Sequence, residues 1–406
     1  MTNSNNKHKR ISIFGYGTTT KPLAKHIKNA VYYDDNCKEP YGGDFGSFVR
    51  PAKEFDPQNS DLEITSPGIS PTNPLILRAK NLISEYDFFE HTLPMKIWIS
   101  GTNGKTTTTQ MMQHLLEDKR SIAGGNIGTP LADLDPNAAI WILETSSFTM
   151  HYTQSAKPNI YALLPITPDH LSWHGSMEAY VADKLKPLKK MKRSDTAIVP
   201  EFFKDAQTEA KLITYRDAKH LAEIFDIDTQ KIKFEGPFLL DALLAMAVDT
   251  LLFKRISYEK INSFTLDPHR QEELRDRHNR LWVNDTKATN LDATIAALKR
   301  YESSKIHLIL GGDDKGVALD ELFIFLQNTN AIIYAIGSNK EKLASLSQKY
   351  SIPFVLCTNL QNAVEKIDKA LQESEIALLS PAAASLDEFR SYADRGEQFK
   401  AAVKLL

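Results

Sequence analysis

Short apolar runs alternate with segments of helical periodicity along most of this 406-residue chain. Continuous apolar runs between helices are typical of parallel strands that are buried on both faces of a sheet. The runs are residues 11–14, 31–33, 62–65, 96–100, 140–143, 160–164, 196–199, 281–283, 306–310, 331–336 and 376–379. The alternation therefore predicts the α/β class, with parallel sheets joined by right-handed crossovers.

Two interruptions of this pattern suggest domain boundaries. The first is the segment 91–94, just before an apolar run, and the second is the segment 263–270. They predict three domains, residues 1–93, 94–267 and 268–406. A chain of this length typically folds into two or three domains, and each of these pieces is long enough to bury its own core.

Residues 100–107 (SGTNGKTT) lie between an apolar run and a helical stretch. Backbone N–H groups of such a loop, together with the helix N-terminus, bind phosphate oxygens. Lys105 adds a point charge for the outer phosphates, and the Thr106 hydroxyl is a Mg²⁺ ligand in loops of this kind. Ile99 stands where a strict Walker A loop has glycine, so a chance glycine turn is the alternative. The Gly-Lys-Thr sequence at a strand-to-helix joint favours a nucleoside triphosphate site.

The first apolar run leads into a turn that contains Gly15 and Gly17. Thr20 replaces the third glycine of a dinucleotide fingerprint. The turn is therefore either a plain tight turn or the site of a diphosphate-containing ligand. A second turn follows the run 62–65, and both turns are expected at the carboxyl edge of one sheet. The candidate contacts are Gly17, Thr18, Thr19, Asp34, Ser66, Pro67 and Gly68.

Two residues of the central piece, Glu144 and His170, are candidates for metal chemistry. Glu144 ends an apolar run near the glycine loop, where a carboxylate is well placed to bind magnesium. His170 ends the next run, although a histidine there is more often a structural hydrogen-bonding group. Lys184 lies in a lysine-rich helical segment, whose ordinary interpretation is a solvated face.

Three polar or glycine-rich turns follow apolar runs in the C-terminal piece. They are residues 284–290, 311–316 and 380–389. Each turn alone is explained equally well as a helix cap. Because all three are expected at the same edge of one sheet, together they indicate a binding site.

Composition and charge narrow the class of protein. The formal net charge of −2 gives no reason to expect nucleic acid or an anionic membrane as a partner. Cys37 and Cys357 have no metal-ligand spacing, and free thiols are typical of cytoplasmic proteins. The first apolar stretch is too short for a signal-peptide core, and no run reaches the ~20 residues of a membrane helix. We therefore expect a cytoplasmic chain with small-molecule partners.

The order of these motifs resembles the ATP-dependent Mur ligases of peptidoglycan synthesis. The resemblance runs from about Ile11 to Leu406, and the motifs at 284–290 (NDTKATN) and 380–389 (SPAAASLDEF) are most similar to the members that add D-glutamate. It implies a Rossmann-like N-terminal domain for UDP, a central P-loop-type domain for ATP and a Rossmann-like C-terminal domain for the amino acid. It also implies a monomer that uses UDP-MurNAc-L-alanine, D-glutamate, ATP and two Mg²⁺ ions, through an acyl phosphate.

The resemblance assigns roles to individual residues. Lys184 matches a lysine that is carbamylated in the family, which requires a lowered pKa. The implied catalytic residues are Lys105, His170 and Lys184, and the metal ligands are Thr106, Glu144, His170 and Lys184. The ATP contacts are Gly101, Thr102, Asn103, Gly104, Lys105, Thr106, Thr107, Arg270, Asp285 and Lys287. Asn126 is a further implied contact for the UDP-linked substrate, in addition to the residues of the two N-terminal turns. The D-glutamate contacts are Thr289, Lys315, Ser385, Leu386 and Tyr392.

One departure and three alternatives accompany this interpretation. The family often has two asparagines near adenine, and residues 236–242 (GPFLLDA) contain neither. A sibling ligase such as a folylpolyglutamate synthase is the nearest alternative. The paired glycines Gly15 and Gly17 also fit an NAD-dependent oxidoreductase, although the third glycine is missing. A non-catalytic ATP-binding regulator is the third alternative.

Overall fold

A computed structural model describes residues 10–92, 94–126, 128–314 and 316–406. Within these ranges, eighteen strands form three six-stranded sheets, and fourteen α-helices accompany them. A strand is present at every predicted apolar run. The α/β class predicted from the sequence is therefore confirmed.

The N-terminal sheet has the strand order β3-β4-β2-β1-β5-β6. All neighbours are parallel except β3 and β4, which are antiparallel. Its strands are β1 (Ile11–Phe14), β2 (Val31–Asp34), β3 (Tyr41–Gly42), β4 (Phe48–Pro51), β5 (Leu62–Thr65) and β6 (Leu82–Ile83). Helices α1 (Pro74–Arg78) and α2 (Glu85–Phe88) follow β5 and β6.

The central sheet is parallel throughout, with the order β12-β11-β10-β7-β9-β8. Its strands are β7 (Met95–Ser100), β8 (Ser121–Gly125), β9 (Ile140–Glu144), β10 (Ile160–Leu163), β11 (Thr196–Pro200) and β12 (Lys211–Tyr215). Its helices are α3 (Lys105–Leu116), α4 (Ser147–Tyr152), α5 (Leu171–His174), α6 (Met177–Leu185), α7 (Ala218–Phe225), α8 (Pro237–Phe253) and α9 (Tyr258–Ser263). Helix α8 packs along α3, which carries the glycine loop at its start.

The C-terminal sheet has the order β13-β14-β18-β15-β16-β17, with only β13 antiparallel to its neighbour. Its strands are β13 (Glu272–Arg275), β14 (Leu281–Asn284), β15 (Ile306–Leu310), β16 (Ala331–Ala335), β17 (Phe354–Leu356) and β18 (Ile376–Leu379). Its helices are α10 (Leu291–Arg300), α11 (Asp320–Leu326), α12 (Lys340–Tyr350), α13 (Leu360–Ala370) and α14 (Tyr392–Lys404).

The described residues form two compact units, which meet in sequence between Phe264 and Thr265. The first unit contains both the N-terminal and the central sheet, because one buried apolar cluster continues through them. The ring of Tyr86 in α2 meets that of Trp98 in β7, with centroids 4.9 Å apart. The two domain boundaries at 93/94 and 267/268 stay a prediction.

Asp87 of α2 links the N-terminal sheet to the central one. Its carboxylate accepts hydrogen bonds from the backbone N–H groups of Gln154, Ser155 and Ala156, which follow α4. It also completes a capping box with Ser84 at the start of α2. A buried carboxylate with this many donors is fully satisfied, so the link is rigid.

Candidate active site

The glycine loop connects β7 to α3 in a conformation that depends on its glycines. Gly101 has φ of 142° and Gly104 has φ of 82°, values that L residues with side chains rarely adopt. A Cβ atom on Gly104 would also lie 2.3 Å from Oδ1 of Asp241, a residue of α8. Because the loop is followed at once by α3, its N–H groups and the helix N-terminus form a site suited to phosphate oxygens.

Lys105 folds back over this loop. Its Nζ donates to the carbonyl oxygens of Gly101 and Thr102, at 3.1 Å and 2.7 Å. The Thr102 hydroxyl forms hydrogen bonds with Thr167 O and with the Tyr180 hydroxyl. Thr107 Oγ1 is buried and makes no hydrogen bond to the described residues. Nζ of Lys105 therefore lies against the loop to which a triphosphate would bind.

The side chain of Lys184, in α6, contacts the same loop from the protein interior. The side chain is fully buried, and Nζ donates to Gly101 O at 2.8 Å while lying 4.8 Å from the centre of the Tyr180 ring. Burial lowers the pKa of Lys184 well below its usual range, and the charge of Lys105 acts in the same direction. The alternative of a solvated face is therefore wrong for Lys184. A neutral buried amine is the form that reacts with CO₂.

Glu144 ends β9 beside the loop. Its Oε1 accepts from the Asn126 side chain at 2.7 Å, whereas Oε2 is buried and has no hydrogen-bond partner among the described residues. The backbone of Asn126 also donates to Glu144 O, which brings the two predicted site residues together. A buried carboxylate oxygen without a donor fits a hard cation such as Mg²⁺.

His170 stands between β10 and α5 with a left-handed backbone, φ 54°. Its ring packs edge-on against Phe148, with centroids 4.8 Å apart, and Nε2 lies 3.5 Å from an Asp169 carboxylate oxygen. Asp169 and Glu144 both act electrostatically on Lys184. The predicted residues of the central sheet therefore share one neighbourhood around the glycine loop.

The two turns of the N-terminal sheet also lie together. The N–H of Ser66 donates to Phe14 O at 2.9 Å, and a Cβ on Gly15 would lie 3.2 Å from Cβ of Ser66. Thr20, at the position of the missing third glycine, is buried and donates to Gly15 O. The turn after β1 is thus closed by a hydroxyl instead of a glycine, and Gly17 and Thr18 stay exposed beside Thr19.

Asp34 is already engaged in ordering these turns. Its carboxylate accepts from the N–H of Tyr16 at 2.6 Å and from the N–H of Asn36 at 2.7 Å. The second turn contacts the central sheet, because the Tyr152 hydroxyl of α4 donates to Ile69 O at 2.6 Å. Ser66 and Pro67 are half-buried and Gly68 is exposed at this place.

In the second unit, Asp285 follows β14 and is buried. Its two carboxylate oxygens accept from the N–H of Gln271 and from the Ser380 hydroxyl, at 3.2 Å and 2.8 Å. Burial raises the pKa of Asp285 to about 7. Arg270 stands next to Gln271, and its Nε is buried without a hydrogen-bond partner among the described residues.

Lys287 and Thr289 lie on the turn after β14, Ser385 and Leu386 on the turn after β18, and Tyr392 at the start of α14. Lys287 Nζ donates to the Tyr392 hydroxyl at 2.9 Å and lies over its ring. The N–H of Thr289 donates to Lys287 O. Ser385 is buried, whereas Leu386 is 73% exposed. Lys315 lies outside the described residues.

Arg395 of α14 was not predicted, although it fixes these turns. It is fully buried and donates to Thr286 Oγ1, Thr286 O, Ala383 O and Ala384 O. Burial lowers its pKa to about 10. No signal in the sequence marks it, because α14 is rich in polar residues. Asp241 does have a signal, since it is one of two charged residues in the mainly apolar helix α8.

Comparison with known proteins agrees with this geometry. The family model of the Mur ligase middle domain matches residues 99–238, which contain the glycine loop, Glu144, His170 and Lys184. A Campylobacter jejuni (strain 81-176) protein named UDP-N-acetylmuramoylalanine–D-glutamate ligase is 53% identical, over 97% of this chain and 99% of the relative. A protein of the same name from Helicobacter pylori (strain HPAG1) is 44% identical over the same shares.

This chain belongs to the Mur ligase family. It groups there with relatives that carry the name UDP-N-acetylmuramoylalanine–D-glutamate ligase. The chain is thus an ATP-dependent acid–amino-acid ligase of peptidoglycan synthesis, as predicted. The oxidoreductase and the non-catalytic regulator receive no support.

Solved Mur ligases share its fold. MurF from Thermotoga maritima, solved in complex with ADP, superposes with a TM-score of 0.60 at 16% identity, over 97% of both chains. MurC from the same organism gives 0.55 at 16% identity, over 97% of this chain and 99% of the other. The three-domain α/β architecture of the family is therefore confirmed. In the part of the chain that the structure describes, no helix is long and apolar enough to cross a membrane.

Proposed function

We propose that this Mur ligase joins D-glutamate to UDP-N-acetylmuramoyl-L-alanine in the cytoplasm, as a monomer, with no nucleic acid or membrane partner. The observation that carries the proposal is the convergence of Lys105 and Lys184 on the carbonyl oxygen of Gly101, together with a buried Glu144 Oε2 that has no hydrogen-bond partner among the described residues. This arrangement provides one cation, Lys105, a buried amine and a metal ligand where a triphosphate meets a carboxylate. The names of the curated relatives support the choice of both substrates.

The first step activates a carboxylate. An oxygen of the terminal L-alanyl carboxylate attacks the γ-phosphorus of ATP, ADP leaves, and an acyl phosphate forms. The N–H groups of the glycine loop hold the phosphates, and Lys105 offsets the repulsion between the two anions. The proposed loop contacts are Gly101, Thr102, Asn103, Gly104, Lys105, Thr106 and Thr107.

The second step forms the amide. The amine of D-glutamate attacks the acyl carbon, the tetrahedral intermediate collapses, and inorganic phosphate leaves. In the second unit we propose Thr289, Lys315, Ser385, Leu386 and Tyr392 as the D-glutamate contacts, and Arg270, Asp285 and Lys287 as ATP contacts. For UDP-MurNAc-L-alanine we propose Gly17, Thr18, Thr19, Asp34, Ser66, Pro67, Gly68 and Asn126.

Mg²⁺ fits the donors at the glycine loop. Thr106, Glu144, His170 and Lys184, the last as a carbamate, would hold two ions. Bound Mg²⁺ supplies charge neutralisation at the phosphates. The lowered pKa of Lys184 supports the carbamate, because CO₂ adds only to the neutral amine.

The experiment is phosphate release from ATP in the presence of UDP-MurNAc-L-alanine, Mg²⁺ and bicarbonate, with D-glutamate, L-glutamate, L-alanine or diaminopimelate added in turn. Product formation with D-glutamate and with none of the other amino acids supports the proposal. Product formation with another amino acid instead would show that the chain has the activity of a related Mur ligase. Lys105→Ala should abolish turnover, whereas Lys189→Ala, an exposed lysine, should leave it unchanged. Normal turnover by Lys105→Ala would contradict the mechanism.

A further inference from the structure

Two histidines, one in α4 and one in α5, converge on a carboxylate oxygen of an aspartate in α6. None of these three residues belongs to the set proposed for Mg²⁺. His151 Nδ1 lies 2.9 Å and His174 Nδ1 lies 3.0 Å from Oδ2 of Asp183. These three atoms all lie within 4.8 Å of one another. In the ranges that the structure describes, no other group of three or more histidine, cysteine, aspartate or glutamate side chains has ligand atoms this close together.

The orientation of His174 is fixed from its other side. Its Nε2 lies 3.0 Å from Ser147 Oγ, and its ring stacks on Phe148 at an interplanar angle of 10°. The His174 side chain has no exposed surface. Without a bound ion, Nδ1–H of His174 donates to the Asp183 carboxylate; an ion at Nδ1 displaces this proton, and Nε2–H then donates to the Ser147 hydroxyl. A hydrogen bond of this kind on the second ring nitrogen is typical of histidines that bind metals.

The cluster has an open side. The His151 side chain is 35% exposed and that of Asp183 is 14% exposed. Solvent and an ion can therefore reach the donors, and a water molecule can complete four-coordination. Two imidazole nitrogens and one carboxylate oxygen form a donor set that suits Zn²⁺, whereas Mg²⁺ prefers oxygen ligands.

We propose that His151, His174 and Asp183 form a binding site for Zn²⁺. Tetrahedral bonds of about 2.1 Å separate neighbouring ligand atoms by about 3.4 Å, so the imidazoles of His151 and His174 have to move from Asp183 by about 0.5 Å and about 0.4 Å. Side-chain rotation provides a movement of this size. The bound ion joins α4, α5 and α6, and it therefore stabilises the folded state in proportion to its affinity.

The test is Zn²⁺ binding to the full, tag-free chain after treatment with a chelator, without nucleotide or substrate. The matched variants are His151→Gln, which keeps a hydrogen-bonding side chain next to Asp183, and His278→Gln, which changes an exposed histidine. We expect one Zn²⁺ per chain, an affinity at least about tenfold lower in His151→Gln, and no change in His278→Gln. Zn²⁺ should raise the unfolding temperature of the wild type and of His278→Gln, but not that of His151→Gln.

Two further measurements separate this site from the Mg²⁺ ligands. Zn²⁺ affinity should persist in His170→Ala, and Co²⁺ in place of Zn²⁺ should give the visible spectrum of a four-coordinate ion. Failure to bind Zn²⁺, equal affinity in wild type and His151→Gln, or loss of binding in His170→Ala would each overturn the proposal. Circular dichroism establishes that the variants fold. Because no substrate is present, the result is independent of the ligase activity proposed above.

Discussion

The side-chain amines of Lys105 and Lys184 both donate to the carbonyl oxygen of Gly101, at 3.1 Å and 2.8 Å. Two ammonium groups this close repel each other, and burial further disfavours charge on Lys184. Lys184 is fully buried, and burial together with the charge of Lys105 lowers its pKa well below its usual range. The charge of Lys105 thus favours the neutral form of Lys184, which is the form that adds CO₂.

The first prediction is that Lys105→Met lowers the carbamate content of Lys184. Without the neighbouring charge the pKa of Lys184 rises, and a change of one pKa unit alters the neutral fraction by up to about tenfold. The ¹³C NMR signal of the carbamate, recorded in ¹³C-bicarbonate at fixed pH, measures it. Lys189→Met is the control for loss of an exposed lysine. An unchanged signal in Lys105→Met would show that the two amines are not coupled.

The second prediction concerns Gly104→Ala. The left-handed backbone costs alanine about 1–2 kcal/mol, and its Cβ would collide with Asp241. We expect the free energy of unfolding to fall by about 2–3 kcal/mol and ATP affinity to fall with it. Urea denaturation and ATP titration measure the two effects. Gly42→Ala, where a Cβ meets nothing within 4 Å, should change neither. Equal stability of the two variants would refute the argument.

The central strands were predictable, whereas the edge strands were not. All eleven predicted runs are strands, but β3, β6, β8, β12, β13 and β17, which are the sheet edges, were missed together with β4. Edge strands are paired on one side only and are short or partly exposed, so they lack a continuous apolar run. Gly124 and Gly125 illustrate this, because they end the edge strand β8 and contribute no apolar side chain to it.

The candidate site was predictable where it depends on local sequence. Strand-end positions placed Glu144 and Asp285 correctly at carboxyl edges, since strand and turn are neighbours in the chain. The burial of Lys184 was not predictable from its lysine-rich segment, because it results from packing of α6 under the glycine loop. The role of Arg395 was not predictable for the same reason, because the four acceptors of its hydrogen bonds lie on turns outside its own helix.

The third prediction concerns the pH dependence contributed by Glu85. This residue is buried in α2, Oε2 has no hydrogen-bond partner among the described residues, and burial raises its pKa from 4.5 to about 8. Below pH 4.5 both folded and unfolded states hold the proton, and stability is fully present. Between pH 4.5 and 8 only the unfolded state ionises, so stability is lost as pH rises.

Glu85→Gln removes this loss, because glutamine does not ionise. Its free energy of unfolding relative to wild type should increase by at least about 1.4 kcal/mol between pH 5 and pH 8. Urea denaturation at the two pH values measures the difference. Glu39→Gln, at an exposed position, is the control and should show a small difference at both values. A difference for Glu85→Gln that does not grow with pH would mean that the buried carboxyl keeps its ordinary pKa.

The last prediction is that Arg395→Lys loosens the turns after β14 and β18. The planar guanidinium reaches acceptors on Thr286, Ala383 and Ala384 together, whereas an ammonium is a single point charge with another geometry. Loss of buried hydrogen bonds from a cation should lower the free energy of unfolding by about 2–4 kcal/mol.

Because both turns carry residues that we propose to contact D-glutamate, the KM for the amino acid should rise by more than the KM for UDP-MurNAc-L-alanine. Steady-state kinetics with each substrate varied in turn measures this ratio, and urea denaturation measures the stability. Arg390→Lys, at an exposed position on the same segment, should affect neither. A loss of stability with both KM values unchanged would assign Arg395 to folding alone, since the turns would then keep their binding geometry without it.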